Sequence, residues 1–116
     1  MRKTLITEVS GVVAAPIEEV WRVLRGERPA HEMTTETGDH TVAYQGGWWY
    51  RGEWSLHPDP EGTRVVHRVY NVAEWMRWGV PLANRFFIGF GERTRTAFAD
   101  GLARIGRELG CTTRLV

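Results

Sequence analysis

Along residues 3–13, KTLITEVSGVV, apolar and polar positions alternate, and Val, Ile and Thr dominate. A period of two built from β-branched residues predicts a strand, because successive side chains leave a strand on opposite faces. Gly11 inside this run predicts a bulge. The period then changes. In APIEEVWRVLRG (15–26), Val20, Trp21, Val23 and Leu24 recur at helical spacing, so one face of a short helix is expected to be buried. Pro16 suits its first turn, Glu18 and Glu19 lie at the positive end of its dipole, and Gly26 suits its stop.

After a link, ERPA (27–30), the period of two returns. HEMTTET (31–37) and HTVAYQ (40–45) predict a hairpin across Gly38-Asp39. Gly46-Gly47 predicts a second turn, and WWYRGEWSLH (48–57) a third strand. PDPEG (58–62) is strong turn chemistry, and TRVVHRVYNVAEW (63–75) reads as a long strand. Connections this short predict an antiparallel meander. In the last third, Leu82, Phe86, Phe90, Ala97, Phe98, Gly101, Leu102, Ile105 and Leu109 return to helical spacing, with arginines and acidic residues on the other sides. The pattern predicts one helix over about 81–109, from Pro81 to Gly110, with Gly89 and Gly91 as bend points. The fold class is therefore α+β in a single domain, 1–116. A curved antiparallel sheet of five or six strands grips a long C-terminal helix, and one short helix follows the first strand.

Alternation also sorts the aromatic residues. In 48–57, Trp48, Tyr50, Trp54 and Leu56 share the apolar, inward face, with Gly52 leaving a gap among them. Trp49, Arg51, Glu53, Ser55 and His57 share the outward face. The matching inward sets are Val42 and Tyr44 in one neighbour, and Val65, His67, Val69 and Asn71 in the other. Three readings stay open for these rings: a packed core, the wall of a pocket, or a docking surface. Composition leans toward the pocket. A core prefers Leu, Ile and Val, whereas ligand sites mix aromatic rings with a few polar groups. Tyr44, Trp48, Tyr50, Trp54, His67 and Asn71, facing Trp78, Phe86, Phe90 and Phe98, have that mixture and are the candidate ligand-binding residues.

His67 is the candidate for chemistry, since it interrupts an apolar strand. It is either a neutral, satisfied core histidine or a group that bonds a ligand or moves a proton, with a pKa shifted by burial. Tyr50 is the second catalytic candidate, with Tyr44 and Asn71 as further partners. His31, His40 and His57 fall at strand ends or turns and read as solvated; Asp59 reads as bonding its own turn; Glu8 faces out or pairs with Arg2 or Lys3. EWMRWGVPLANRFFIGF (74–90) is a second aromatic cluster. Its rings either pack under the last helix or form a gate from Trp75, Trp78 and Phe87, with Arg77 and Arg85 beside them.

Composition narrows the classes. One domain is expected from 116 residues, with 42% hydrophobic and 25% charged residues. A net charge of +1 gives no pull toward nucleic acid or an anionic membrane. Cys111 is the single cysteine, so no internal disulfide forms, and with four scattered histidines no zinc pattern arises. No nucleophilic triad, P-loop or dinucleotide fingerprint is present. The expectation is a protein with neither cofactor nor metal. Thr4, Thr7, Glu8 and Ser10 break any apolar signal region, and no apolar run reaches 18 residues. A cytoplasmic protein without stable membrane insertion is expected.

Three segments carry a resemblance. VSGVVAAPIEEVWRVL (9–24) is similar to an opening strand followed by A-P-x-x-x-V-W-x-x-L; LHPDPEGTRVVHRVY (56–70) to an L-x-P-x-x-x-G-T-x-V hairpin; and ADGLARIGREL (99–109) to a closing helix, x-x-G-L-x-x-L-x-x-x-L. In that order they resemble the SRPBCC, START-like or helix-grip superfamily, in its polyketide cyclase/dehydrase-like branch. The resemblance implies a cavity between sheet and final helix that holds lipids, sterols, polyketides or other aromatic compounds. The chain departs from the family by its shortness, with ERPA standing where a second helix and further strands are usual. The trimming leaves closure of the cavity open and raises a homodimer that covers the gap. The expected function is binding of a small hydrophobic, aromatic or polycyclic, ligand. The alternatives are a cyclase, aromatase or dehydratase using a His67–Tyr50 pair, an interaction module using Trp49 and Tyr70, and a resistance protein that sequesters a natural product.

Overall fold

The structure, a computed structural model, describes residues 4–26, 34–46, 50–72 and 89–116. Strand β1 spans Thr4–Val13, helix α1 Ile17–Gly26, β2 Thr34–Gly38, β3 Thr41–Gly46, β4 Tyr50–Asp59, β5 Gly62–Asn71, helix α2 Phe90–Leu109 and β6 Thr113–Leu115. The strands form one open sheet in the order β2-β3-β4-β5-β1-β6, every neighbouring pair antiparallel. This is the α+β arrangement that the periodicity predicts, with the meander from β2 to β5 closed onto β1.

The register confirms the sorting of faces. Trp54 lies opposite Val42 on one side and His67 on the other, Gly52 opposite Tyr44 and Val69, and Leu56 opposite Val65. His67 continues across to Val9, and Val65 to Gly11. A single core follows on that face. Val9, Val13, Val42, Leu56 and Val65 from the strands, Val20, Val23 and Leu24 from α1, and Phe98, Leu102 and Ile105 from α2 are all buried in it. Trp21, which shares the expected apolar side of α1, is only half-buried at its margin. Thr63 is fully buried and donates its Oγ1–H to the Ala15 carbonyl (2.8 Å), which ties the start of β5 to the β1–α1 link.

Several details differ from the sequence expectations. Gly11 is not a bulge. It pairs regularly with Val65 and Leu115, and the extra residue in β1 is Ile6, between Leu5, which pairs with Tyr70, and Thr7, which pairs with Val69. Gly11 instead marks a close approach of α2 to the sheet: a Cβ there would collide with Leu102 Cδ1 and lie 2.7 Å from the Arg114 carbonyl oxygen and 3.3 Å from the Phe98 ring. The β2–β3 turn is centred on Asp39-His40, one residue later than expected, and His40 takes the positive φ of 55°. Pro58 and Asp59 belong to β4, so the next turn is Pro60-Glu61. Helix α2 does not start at Pro81. It starts at Phe90 behind Gly89, whose left-handed φ of 76° makes it a boundary, not a bend. Gly110 ends it in the left-handed region as expected, and its N–H and that of Cys111 both reach the Gly106 carbonyl. Residues 81–88 of the expected helix lie outside the described residues.

That turn sends the chain into β6, a strand too short to show a period. β6 covers the edge of β1 at Gly11–Val13. The expected solvation of His40 is also corrected: its Nε2 lies 2.8 Å from Glu18 and its ring stands edge-on to Trp21 at 5.8 Å, so the turn is clipped to α1. Glu8 faces outward and pairs with Arg68 (2.6 Å).

The two classes of glycine should behave oppositely. Gly11→Ala should destabilise the fold by about 1–3 kcal/mol, because the Arg114 backbone cannot move aside as a side-chain tip can. Gly101→Ala, in the interior of α2 with nothing within 4 Å of the added methyl, should stabilise it by up to about 1 kcal/mol. Denaturant unfolding of the two variants beside the parent checks both signs.

Candidate functional site

Cross-strand pairing brings Trp54 on β4 directly beside His67 on β5, both on the face that α2 covers. Their rings stack at 4.1 Å with an interplanar angle of 25°. From α2, Phe98 stacks on both, at 5.5 Å from Trp54 and 6.2 Å from His67, the latter nearly parallel at 3°. Such pairs contribute about 0.5–1.5 kcal/mol each beyond their buried area. The three rings pack on the edge of the core and leave a hollow of about 250 Å³, partly open to solvent, lined by Tyr50, Trp54, His67, Val69, Thr94, Ala97 and Phe98.

His67 is 6% exposed. Its Nδ1 lies 3.2 Å from the backbone carbonyl oxygen of Glu53. A carbonyl can only accept, so Nδ1 carries the proton. Burial pushes the imidazole down from 6.5 to about 4, against the smaller upward pull of that hydrogen bond. The ring is therefore neutral at pH 7, and Nε2 presents a bare lone pair. Among the described residues Nε2 makes no hydrogen bond, and no side-chain nitrogen or oxygen of the described residues is both sealed from solvent and unpaired. The unpaired Nε2 is therefore open to solvent, and His67 lines the hollow.

Gly52 has a different role from the open gap expected. A Cβ there would lie 2.5 Å from the Tyr50 hydroxyl and 3.3 Å from His67 Cε1. The missing side chain is the space into which the Tyr50 phenol folds, bringing its oxygen beside the histidine. Burial raises the Tyr50 phenol above its usual 10, so it stays protonated throughout the neutral range.

Of the ten candidate ligand-binding residues, Tyr50, Trp54, His67 and Phe98 come together in this hollow. Tyr44 and Asn71 share the same face but do not line it: Tyr44 is half-buried opposite Gly52, and Asn71 lies at the strand end opposite Tyr50 and Thr4. Trp48, Trp78 and Phe86 lie outside the described residues, as do Trp49, Trp75, Phe87, Arg77 and Arg85. Phe90 is the first residue of α2. Val69, Thr94 and Ala97 join the lining without having been singled out. Thr94 was findable, because it stands one helical turn before Phe98.

A second hollow, about 350 Å³, lies over β2, β3 and β4 and is lined by Glu36, Arg51, Glu53 and Arg68 among others. Its arginines are already engaged: Arg51 with Glu36, Glu53 and Gln45, and Arg68 with Glu8. Such ladders give little to a new charged ligand, which must first displace a carboxylate. No group of three or more metal-ligating side chains gathers among the described residues, and none of the described helices is long and apolar enough to cross a membrane.

No protein-family model, curated protein or solved structure matches the chain.

The burial of neutral His67 has a pH signature. In the unfolded chain the ring takes a proton near pH 6.5, in the folded one only near 4. The unfolded state thus binds more protons over that window, and stability falls as pH drops from 6.5 toward 4, by about 3 kcal/mol from this group. On the inner face of β3, β4 and β5 the only other titratable side chains are Tyr44 and Tyr50, and phenols do not ionise there. Unfolding free energies at pH 7 and pH 4 should differ by about 3 kcal/mol less in His67→Phe than in the parent. Equal differences would contradict the buried neutral histidine.

Proposed function

We propose that this chain binds a small aromatic molecule in the hollow between β4, β5 and α2, as a shortened helix-grip protein whose sheet curves around its last helix. One observation carries the reading: His67, nine-tenths buried and bonded only through Nδ1 among the described residues, lines a hollow walled mainly by aromatic and aliphatic groups, with the Tyr50 and Thr94 hydroxyls beside it. A ligand that covers Nε2 without giving it a donor would leave a buried acceptor unpaired, at a cost of about 1–3 kcal/mol, so a ligand with a donor is favoured by about that much. Flat rings around a few polar groups fit ligand sites better than they fit a filled core.

Size narrows the ligand. About 250 Å³ exceeds the roughly 150 Å³ that admits benzene and falls short of the roughly 300–1,000 Å³ of sites for drug-sized molecules. One or two fused rings match that volume. Binding is favoured over catalysis because a base with a pKa of about 4 is weak at neutral pH, where efficient proton transfer calls for a pKa near 7.

Titration of the isotope-labelled protein with one- and two-ring aromatics should shift the NMR resonances of His67, Val69, Thr94 and Phe98, with Kd values between roughly 1 µM and 1 mM. Ala97 is exposed at the rim, so Ala97→Trp should fill the mouth and remove binding with little loss of stability. Shifts absent from these four residues for every compound would end the reading.

A further inference from the structure

Resting on the binding reading above, we propose that the ligand carries its own hydrogen-bond donor, a ring hydroxyl or ring N–H, and donates it to Nε2 of His67. The chemical class is a one- or two-ring phenol or N–H heteroaromatic, not a ketone, ether or bare hydrocarbon.

The tautomer decides this. Nδ1 faces the Glu53 carbonyl at 3.2 Å, and two acceptors cannot share a contact, so the proton of the ring is on Nδ1. A neutral imidazole has one N–H. Nε2 is then an acceptor only, and it meets the hollow with no protein donor on it among the described residues. A ligand carbonyl placed against Nε2 would set two lone pairs face to face. A hydrocarbon would leave the nitrogen dry and unpaired. A hydroxyl or N–H satisfies it.

The ring walls select the rest of the molecule. Trp54, His67 and Phe98 lie within 28° of a common orientation, so they present slab-like surfaces to a flat ligand. A hydroxyl or N–H in the plane of an aromatic ring points its hydrogen along that plane, which is also the plane in which an imidazole nitrogen keeps its lone pair. A ligand stacked parallel to these rings therefore donates without tilting. The hydroxyls of Tyr50 and Thr94 are the other polar groups of the lining. Either can donate as well as accept, so they do not set the donor requirement; His67 does.

The test uses three matched probes on the full chain: 2-naphthol, 2-methoxynaphthalene and naphthalene, with Kd from NMR titration. 2-Naphthol should bind at least about tenfold more tightly than the other two, since leaving a buried acceptor unpaired costs about 1–3 kcal/mol and 1.4 kcal/mol is tenfold. His67→Phe, which keeps a ring in the stack, should erase that preference while still binding naphthalene. Where His67→Phe fails to fold, the ¹⁵N spectrum of the parent decides: long-range couplings must show Nδ1 protonated and Nε2 bare. Equal affinity for all three probes at the His67 site overturns the donor requirement and leaves the binding reading standing. A protonated Nε2 overturns it too. Failure of every probe to bind overturns both.

Discussion

The structure depends on how closely α2 can approach the sheet. That approach is set by one missing side chain. At Gly11 the helix rests on backbone, with Leu102 and Phe98 occupying the volume that any Cβ would claim. Dispersion falls off steeply with distance, so a lift of about 1 Å would weaken every contact beneath the helix. It would also draw Phe98 away from Trp54 and His67, since the same side chain touches Gly11 and stacks on both. The packing of the core and the geometry of the hollow are thus one constraint. β6 reinforces it from the far side, because its Arg114 carbonyl also sits over Gly11.

A histidine at position 67 is a poor choice for stability alone. Valine fills the flanking inward positions, 65 and 69, and is nearly sealed from solvent at both. An imidazole in that row must stay neutral, as its lowered pKa records, and it satisfies only one of its two nitrogens. The same face leaves position 52 empty and fills the space with the Tyr50 phenol. Two departures from simple core chemistry, side by side on paired strands, concentrate polar atoms in an otherwise apolar layer. Proteins relax local rules of packing where binding or chemistry requires it.

Much of the fold was legible in the sequence. Alternation through WWYRGEWSLH and TRVVHRVYNVAEW assigns Tyr50, Trp54, Leu56, Val65, His67 and Val69 to one face, and the register places them there. A period of two leaves little freedom, because a one-residue slip would put Trp54 and Val65 in water. What failed was local. Gly11 and Gly52 were legible as anomalies but not as causes: whether a glycine bends a strand or admits a neighbour depends on residues as far along the chain as Phe98, Leu102 and Arg114, or on the rotamer of Tyr50 two residues back. β6 was illegible because three residues carry no period, and its pairing follows from where Gly110 turns the chain. Half of the site was legible in the same way. His67, Trp54 and Tyr50 follow from strand alternation and Phe98 from helical spacing, whereas which of its helical neighbours reach the hollow depends on the rotation of α2 about its axis.

The two faces of the sheet handle polar groups in opposite ways. Outside, charges pair both across and along the strands, Glu36–Arg51–Glu53 and Arg68–Glu8, where water screens the exposed members and each pair contributes little. Inside, one uncharged nitrogen and the Tyr50 and Thr94 hydroxyls sit in a more apolar setting, where a hydrogen bond is stronger. Recognition by the outer face would mean breaking ion pairs already made, for a gain of the same size as the loss. Recognition by the inner face requires no ion pair to be broken. By this asymmetry, and not by the size of either hollow, the smaller and less polar of the two is the better binding site.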